Sequence, residues 1–265
     1  MRILVAVALA AAQLPLEPMK DAGLGVTAAY EGWFKSPDGS SRLLIGYFNR
    51  NLKQTLDIPI GPENRIDPGG PDQGQPTHFL PRRQWGVFSI PLPKDFGDKK
   101  LTWTLVANGQ TTSIPMGLNP LYQVEPFRDA AQGNTPPVLR FERSGAGLQG
   151  PPRGIATQVS GVAGQPVDLT VWAADDAVVD PDRKAGESAV TLKWSKFRGP
   201  GDVTFADAQP KADKSDGKAT TTATFTMPGE YVLRVQANDV SGEGGGGFQC
   251  CWTNVHVKVA VKPPS

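Results

Sequence analysis

The sequence predicts an all-β protein made of two β-sandwiches behind a short export signal. Three observations carry this reading. Apolar residues recur with a period of two in short rows, 30 glycines and 25 prolines punctuate the 265-residue chain, and a stretch without any period falls near its middle. Hydrophobic residues make up 39% and charged residues 20%, enough apolar surface for packed cores and against wholesale disorder. With 27 basic and 26 acidic residues the net charge is +1, so no global field recruits nucleic acid or an anionic membrane.

The chain starts Met1-Arg2 and continues through the apolar run 3–12, ILVAVALAAA. Ala10 and Ala12 fit an A-x-A cleavage pattern before Gln13, so residues 1–12 are expected to be a signal peptide. Such a run is too short for a helix to cross a hydrocarbon core, which takes about 20 residues. No later stretch approaches that length. The mature chain is therefore expected to carry no transmembrane segment and to reach the periplasm, the cell surface or the extracellular space.

The strand rows follow in order. Leu101, Trp103, Leu105 and Ala107 alternate up to an Asn108-Gly109 hairpin signal. Val167, Leu169, Val171 and Ala173 form the next row, then Val190, Leu192 and Trp194, then Tyr231, Leu233, Val235 and Ala237. The last row is Val255, Val257, Val259 and Val261, with His256, Lys258 and Lys262 facing the other way. Rows of this kind imply antiparallel sheets with one face toward a core and one toward water. The domain boundary is placed where LNPLYQVEPF gives way to RDAAQGNTPP. That yields an N-terminal sandwich over 22–125, a Pro-containing linker over 126–136 and a second sandwich over 137–262. The Thr-Pro-Pro run reads as a stiff spacer.

Three segments of the second half carry a family likeness. They are Asn134-Thr135-Pro136-Pro137-Val138, the stretch 193–205 (KWSKFRGPGDVTF), and 223–235 (ATFTMPGEYVLRV) closed by Ala237-Asn238-Asp239. Together they resemble the PKD-like, Ig-like sandwich modules of bacterial surface and secreted proteins. The resemblance implies an Ig fold and an extracellular interaction role, commonly with proteins or polysaccharides. Two segments depart from it: the long Gly-rich loop after Asp239, and 174–189. The N-terminal half resembles no family that its residues identify. Trp194 fits the central tryptophan of an Ig sandwich, and the Tyr231 hydroxyl can bond back to the Pro228-Gly229 turn as in a tyrosine corner.

With strands B at 166–173, C at 189–196, F at 230–238 and G at 254–261, the B–C and F–G loops share one end of the sandwich. One brings Asp175, Asp176, Asp180 and Asp182, and the other brings Asp239. Clustered carboxylates and loop carbonyls suit Ca²⁺, which takes six to eight oxygens. Solvated loop acids, with Asp180-Pro181-Asp182 as a turn, are the competing reading. Cys250 and Cys251 are the two cysteines of the chain, and an exported chain favours their oxidation to a vicinal disulfide. Intermolecular bridges and reduced thiols remain open alternatives. Trp33, Trp172 and Trp252 are the aromatic candidates for stacking on a sugar, against the plainer reading of core residues.

In the first half, 61–84 reads as a long loop carrying Glu63, Asn64, Asp67, Asp72, His78, Arg82 and Arg83. It is either a polar binding surface or a crossover between sheets. Sequence signatures of metalloprotease, α/β-hydrolase or P-loop chemistry are absent, so no catalytic residue is nominated. The expected function is an exported non-catalytic structural or protein-interaction module, its partner an extracellular or envelope protein or polysaccharide. A carbohydrate-binding protein is the alternative and a polysaccharide hydrolase the third reading. No cofactor is expected beyond Ca²⁺.

Overall fold

The computed structural model describes residues 20–124, 127, 133–176, 190–239 and 251–264. The expected signal peptide and most of the expected linker lie outside them. In chain order the strands of the first half are β1 (Val26–Lys35), β2 (Ser41–Asn49), β3 (Leu56–Asp57), β4 (Asn64–Asp67), β5 (His78–Phe79), β6 (Arg82–Pro91), β7 (Leu101–Ala107) and β8 (Gln110–Met116). Those of the second are β9 (Val138–Arg140), β10 (Ile155–Val162), β11 (Pro166–Ala174), β12 (Thr191–Arg198), β13 (Val203–Phe205), β14 (Lys218–Phe225), β15 (Gly229–Asn238) and β16 (Trp252–Lys262). A 3₁₀ turn at Pro120–Tyr122 is the helical element among the described residues. The fold is all-β.

Sheets β1-β2-β6 and β4-β7-β8, with the short β3-β5 ladder, enclose the first core. Phe88 meets Trp103 edge-on at 5.2 Å, and the row Leu101, Trp103, Leu105 and Ala107 is buried in this core. Asn108 and Gly109 both take positive φ (48° and 74°), the backbone that a two-residue hairpin of matching twist requires. Segment 61–84 is not one open loop, because it contains β4 and β5. The buried side chain of Asn64 fixes it: Nδ2 donates to the Ile58 and Pro76 carbonyls at 2.9 and 2.8 Å. Its Oδ1 accepts from Trp103 Nε1 at 3.0 Å. One amide thus takes the place of a ladder that the turns interrupt.

The second core lies between sheets β10-β16-β15-β12 and β13-β14-β11-β9. β11, β12, β15 and β16 are the expected B, C, F and G strands, and β10 runs parallel to β16. Trp194 is opposite Val235, and Val235 is opposite Val255, with all three buried. Tyr231 closes the corner: its hydroxyl donates to the Met227 carbonyl at 2.8 Å and accepts from Gly201 N–H at 3.1 Å.

The expectation of one wet face per sheet fails for β12, β15 and β16. Ser195, Lys196, Arg234, Gln236, Asn254 and His256 point away from the second core, yet all are buried. What covers them is the first sandwich.

Candidate functional site

The covering surface is built on a pair of irregularities in the first sandwich. Register shifts fall between Tyr30 and Gly32 in the β1–β2 ladder and between Ile45 and Tyr47 in the β2–β6 ladder. Each shift leaves backbone groups without a ladder partner. The side chain of Glu31, 1% exposed, fills the gap: Oε2 accepts from Gly86 N–H at 2.9 Å and Oε1 from Arg83 Nη2 at 2.7 Å. Burial outweighs the pull of Arg83 and pushes the Glu31 carboxyl up to about 7. The Arg83 guanidinium lies 3.9 Å from the Trp85 ring centroid, a cation–π contact, and so is held on both sides.

Onto this bulge β16 lays its even-numbered row. Asn254 Nδ2 donates to the Trp85 and Gly86 carbonyls at 3.1 and 3.0 Å, and His256 Nε2 donates to the Val87 carbonyl at 3.0 Å. Arg234 Nη2 donates to Gln84 Oε1 at 2.6 Å. The His256 ring stacks on Phe197 at 4.2 Å, and burial, reinforced by the charge of Arg234, depresses its pKa to about 3. It is a neutral imidazole that serves as a donor. At the start of the row Trp252 is 0% exposed and packs with Phe34, Leu44 and Phe127. Gly86 has φ +50, and a Cβ there would fall inside the Trp252 ring, so only glycine fits beneath the indole.

Two ion pairs flank the contact. Lys196, almost buried, binds Asp57 at 3.0 Å, and His78 binds the same carboxylate at 2.9 Å. His78, then Lys196, hold the Asp57 carboxyl below the usual range despite its partial burial. Arg198 makes a two-pronged bond to Asp72 at 2.8 and 3.0 Å and adds a bond to the Gln75 carbonyl. Of the 61–84 candidates, Asp72 and His78 thus serve the contact between sandwiches, while Asn64 supports the fold beneath it.

The expected loop end of the second sandwich is partly visible. Asp239 Oδ2 accepts from Asn134 Nδ2 at 2.6 Å, and Asp176 Oδ2 accepts from Thr135 N–H and Oγ1 at 2.9 and 2.7 Å. Asp176 and Asp239, just past the ends of β11 and β15, thus both bond to the segment that leads into β9, while the loops beyond them, 177–189 and 240–250, lie outside the described residues. Asp175 is described at the end of β11, whereas Asp180, Asp182 and Cys250 lie outside the described residues. Among the described residues no group of three or more potential ligands is placed to hold a metal. Cys251 is disulfide-bonded and buried, its Sγ 3.9 Å from the Phe127 carbonyl oxygen.

The tryptophans are placed differently from a stacking platform. Trp252 is wedged between the sandwiches, and Trp33 is 8% exposed with Nε1 bonded to the Asn119 carbonyl at 2.8 Å. Neither leaves a ring face open to a sugar, because both fill apolar cavities that their large side chains stabilise by burial. Trp172 is half-buried with Lys218 Nζ 5.8 Å from its ring centroid.

Glu31, Gly86, Arg234 and Asn254 were not singled out by sequence. A faint signal exists: a carboxylate amid Tyr30, Trp33 and Phe34, and an Asn and a His where a wet strand would carry Lys, Glu or Thr.

No protein-family model matches the chain, and no curated protein matches it. Among solved structures, "Solution structure of the PKD domain from KIAA 1837 protein" aligns at 20% identity over 46% of this chain and 93% of that one, with TM-score 0.24. "D00-D0 domain of Intimin" aligns at 11% identity over 89% and 99%, with TM-score 0.30. "Crystal structure of the S-layer protein SbsC domains 4 and 5" aligns at 11% identity over 89% and 96%, with TM-score 0.25. Superpositions this loose bear on neither partner nor activity, and the sandwich assignment rests on the strand order and cores of the chain itself.

Proposed function

We propose that the chain is an exported, non-catalytic structural or protein-interaction module of the cell envelope or extracellular space. In this reading its two sandwiches act as one rigid block. The observation that carries it is the second face of β12, β15 and β16, whose polar side chains are engaged by the first sandwich. Asn254 and His256 donate to three consecutive carbonyls of β6, and Trp252 seats over Gly86. A contact made this way fixes orientation, which suits a spacer or a display surface better than two beads on a linker. His256 is buried with its Nε2 donating to the Val87 carbonyl, so it does not stand ready as a general base. The apolar start of the chain and the disulfide-bonded Cys251 support export, since disulfides persist in oxidising compartments.

Small-angle scattering of the purified chain tests the block. One compact particle, unchanged when salt is raised, is expected, whereas a profile that needs an ensemble of separated domains would overturn the reading. N-terminal sequencing of secreted material should begin near Gln13. Turnover of a polysaccharide by the purified chain would replace the non-catalytic reading with the hydrolase one.

A further inference from the structure

Beyond His256 the contact between the sandwiches opens into a groove of about 480 Å³, with walls from both halves. Four cations line it: Arg42 from the first sandwich, and Arg153, Arg198 and Lys258 from the second. Two are already matched, Arg198 by Asp72 and Lys258 by Glu230 at 2.6 Å. Arg42 and Arg153 have no carboxylate within ion-pair distance among the described residues. Arg42 is held in place by Ser89, its Nε donating to Ser89 Oγ at 3.0 Å. Burial and the neighbouring charge of Arg153 lower the Arg42 pKa, and the Asp38 carboxylate, beyond ion-pair distance, only partly offsets them.

We propose that this groove binds an acidic peptide segment of a partner protein, a carboxylate seated between Arg42 and Arg153. The proposal deepens, and rests on, the protein-interaction reading above. Guanidinium forks match carboxylate oxygens in a way that a lone ammonium does not. The rest of the wall mixes polar Gln73 and Ser89 with aliphatic Ile155, 50% exposed, and Val232, part-buried, and the aliphatic pair can take an apolar side chain beside the carboxylate. A pyranose would need an open aromatic face, but the groove's rings, Phe88 and Phe197, are 2% and 3% exposed. The chemistry favours peptide over glycan.

Fluorescence anisotropy with the full chain tests this, using a labelled peptide of alternating Glu and Leu, its Lys-Leu counterpart and a labelled oligogalacturonate. Expected is binding of the acidic peptide alone, weakened about tenfold or more by raising salt from about 50 to about 500 mM. Arg153→Gln, at an exposed position, should weaken it by a similar factor, and Arg42→Gln with Arg153→Gln should abolish it. Lys214→Gln, outside the groove, should leave it unchanged. Absence of binding to wild type overturns the proposal. Peptide binding that survives the double substitution overturns the groove but leaves a protein-interaction module standing. Oligogalacturonate bound more tightly than the peptide, and lost in the double variant, keeps an anion groove but overturns both the peptide and the protein-interaction reading.

Discussion

The two faces of β16 make opposite use of one alternating row. Val255, Val257, Val259 and Val261 enter the second core, where burial alone stabilises them. Trp252, Asn254 and His256 leave the strand on its other side and are as deeply buried, yet two of the three are polar. Those two satisfy their donors on main-chain carbonyls of another domain. Polarity on a strand face therefore marks a face that needs hydrogen-bond partners, and water is only one way to supply them. The inner face is held by shape and volume. The outer face is held by direction.

The sharpest way to break this comparison is to empty the outer face. Trp252→Ala should cost about 3–5 kcal/mol in chemical denaturation, comparable to truncating a buried aromatic in either core. A loss below about 1 kcal/mol would mean that the contact between sandwiches contributes little. The same substitution should change the scattering profile toward separated domains, which truncation of Trp194 in the inner core should not do short of unfolding.

Titration sharpens the comparison further, because the contact beneath the outer face joins two buried groups with opposite leanings, His256 on β16 and Glu31 on β1. The folded chain holds His256 neutral down to about pH 3, while an unfolded imidazole gains its proton near 6.5. This contribution to stability is present above 6.5 and lost as pH falls toward 3. Glu31 runs the other way: its folded value near 7 exceeds 4.5, so its contribution is present below 4.5 and lost as pH rises through 7. Each slope is about 1.4 kcal/mol per pH unit, so the pair nearly cancels between 4.5 and 6.5. Glu31→Gln should expose a stability that climbs with pH from about 3 to 6.5, and His256→Gln one that declines from about 4.5 to 7. Parallel pH profiles for wild type and both variants would show that neither group titrates differently on folding.

Smaller effects belong to single bonds. Tyr231→Phe removes a hydroxyl that serves Gly201 and Met227, and should cost about 1–2 kcal/mol without altering the contact between sandwiches. Asp72→Asn loosens a half-exposed ion pair with Arg198 and should cost under about 1 kcal/mol, reduced further by salt. A larger loss for Asp72→Asn than for Tyr231→Phe would reverse the ranking of rim against core.

Local pattern made the inner faces legible in advance. Period-two rows found β7, β11, β12, β15 and β16, the Asn108-Gly109 signal found a hairpin, and the Pro228-Gly229-x-Tyr231 run found the corner. The outer face was hidden for a physical reason. Asn254 and His256 meet carbonyls 168 and 169 residues away, and nothing local distinguishes a donor aimed at water from one aimed at another sheet. The same blindness made Trp33 and Trp252 look like sugar platforms and made 61–84 look open, since the buried amide of Asn64 that organises it resembles any turn asparagine. Strand order placed Asp176 and Asp239 at one end of the second sandwich, and there they meet neighbouring residues. That Asn134 and Thr135 receive them was not legible.

Among the described residues β6 closes one margin of its sheet, pairing with β2 alone. Such a margin offers unpaired carbonyls to any passing strand and is a common starting point for edge-to-edge aggregation. Here the carbonyls of Trp85, Gly86 and Val87 are occupied by side chains of Asn254 and His256, which cannot propagate a ladder as a strand would. The second sandwich therefore acts as an intramolecular guard for the first. A fragment ending at residue 124 would lose that guard together with Phe197 and Trp252, which pack against its buried side chains, and its bared β6 margin would favour self-association.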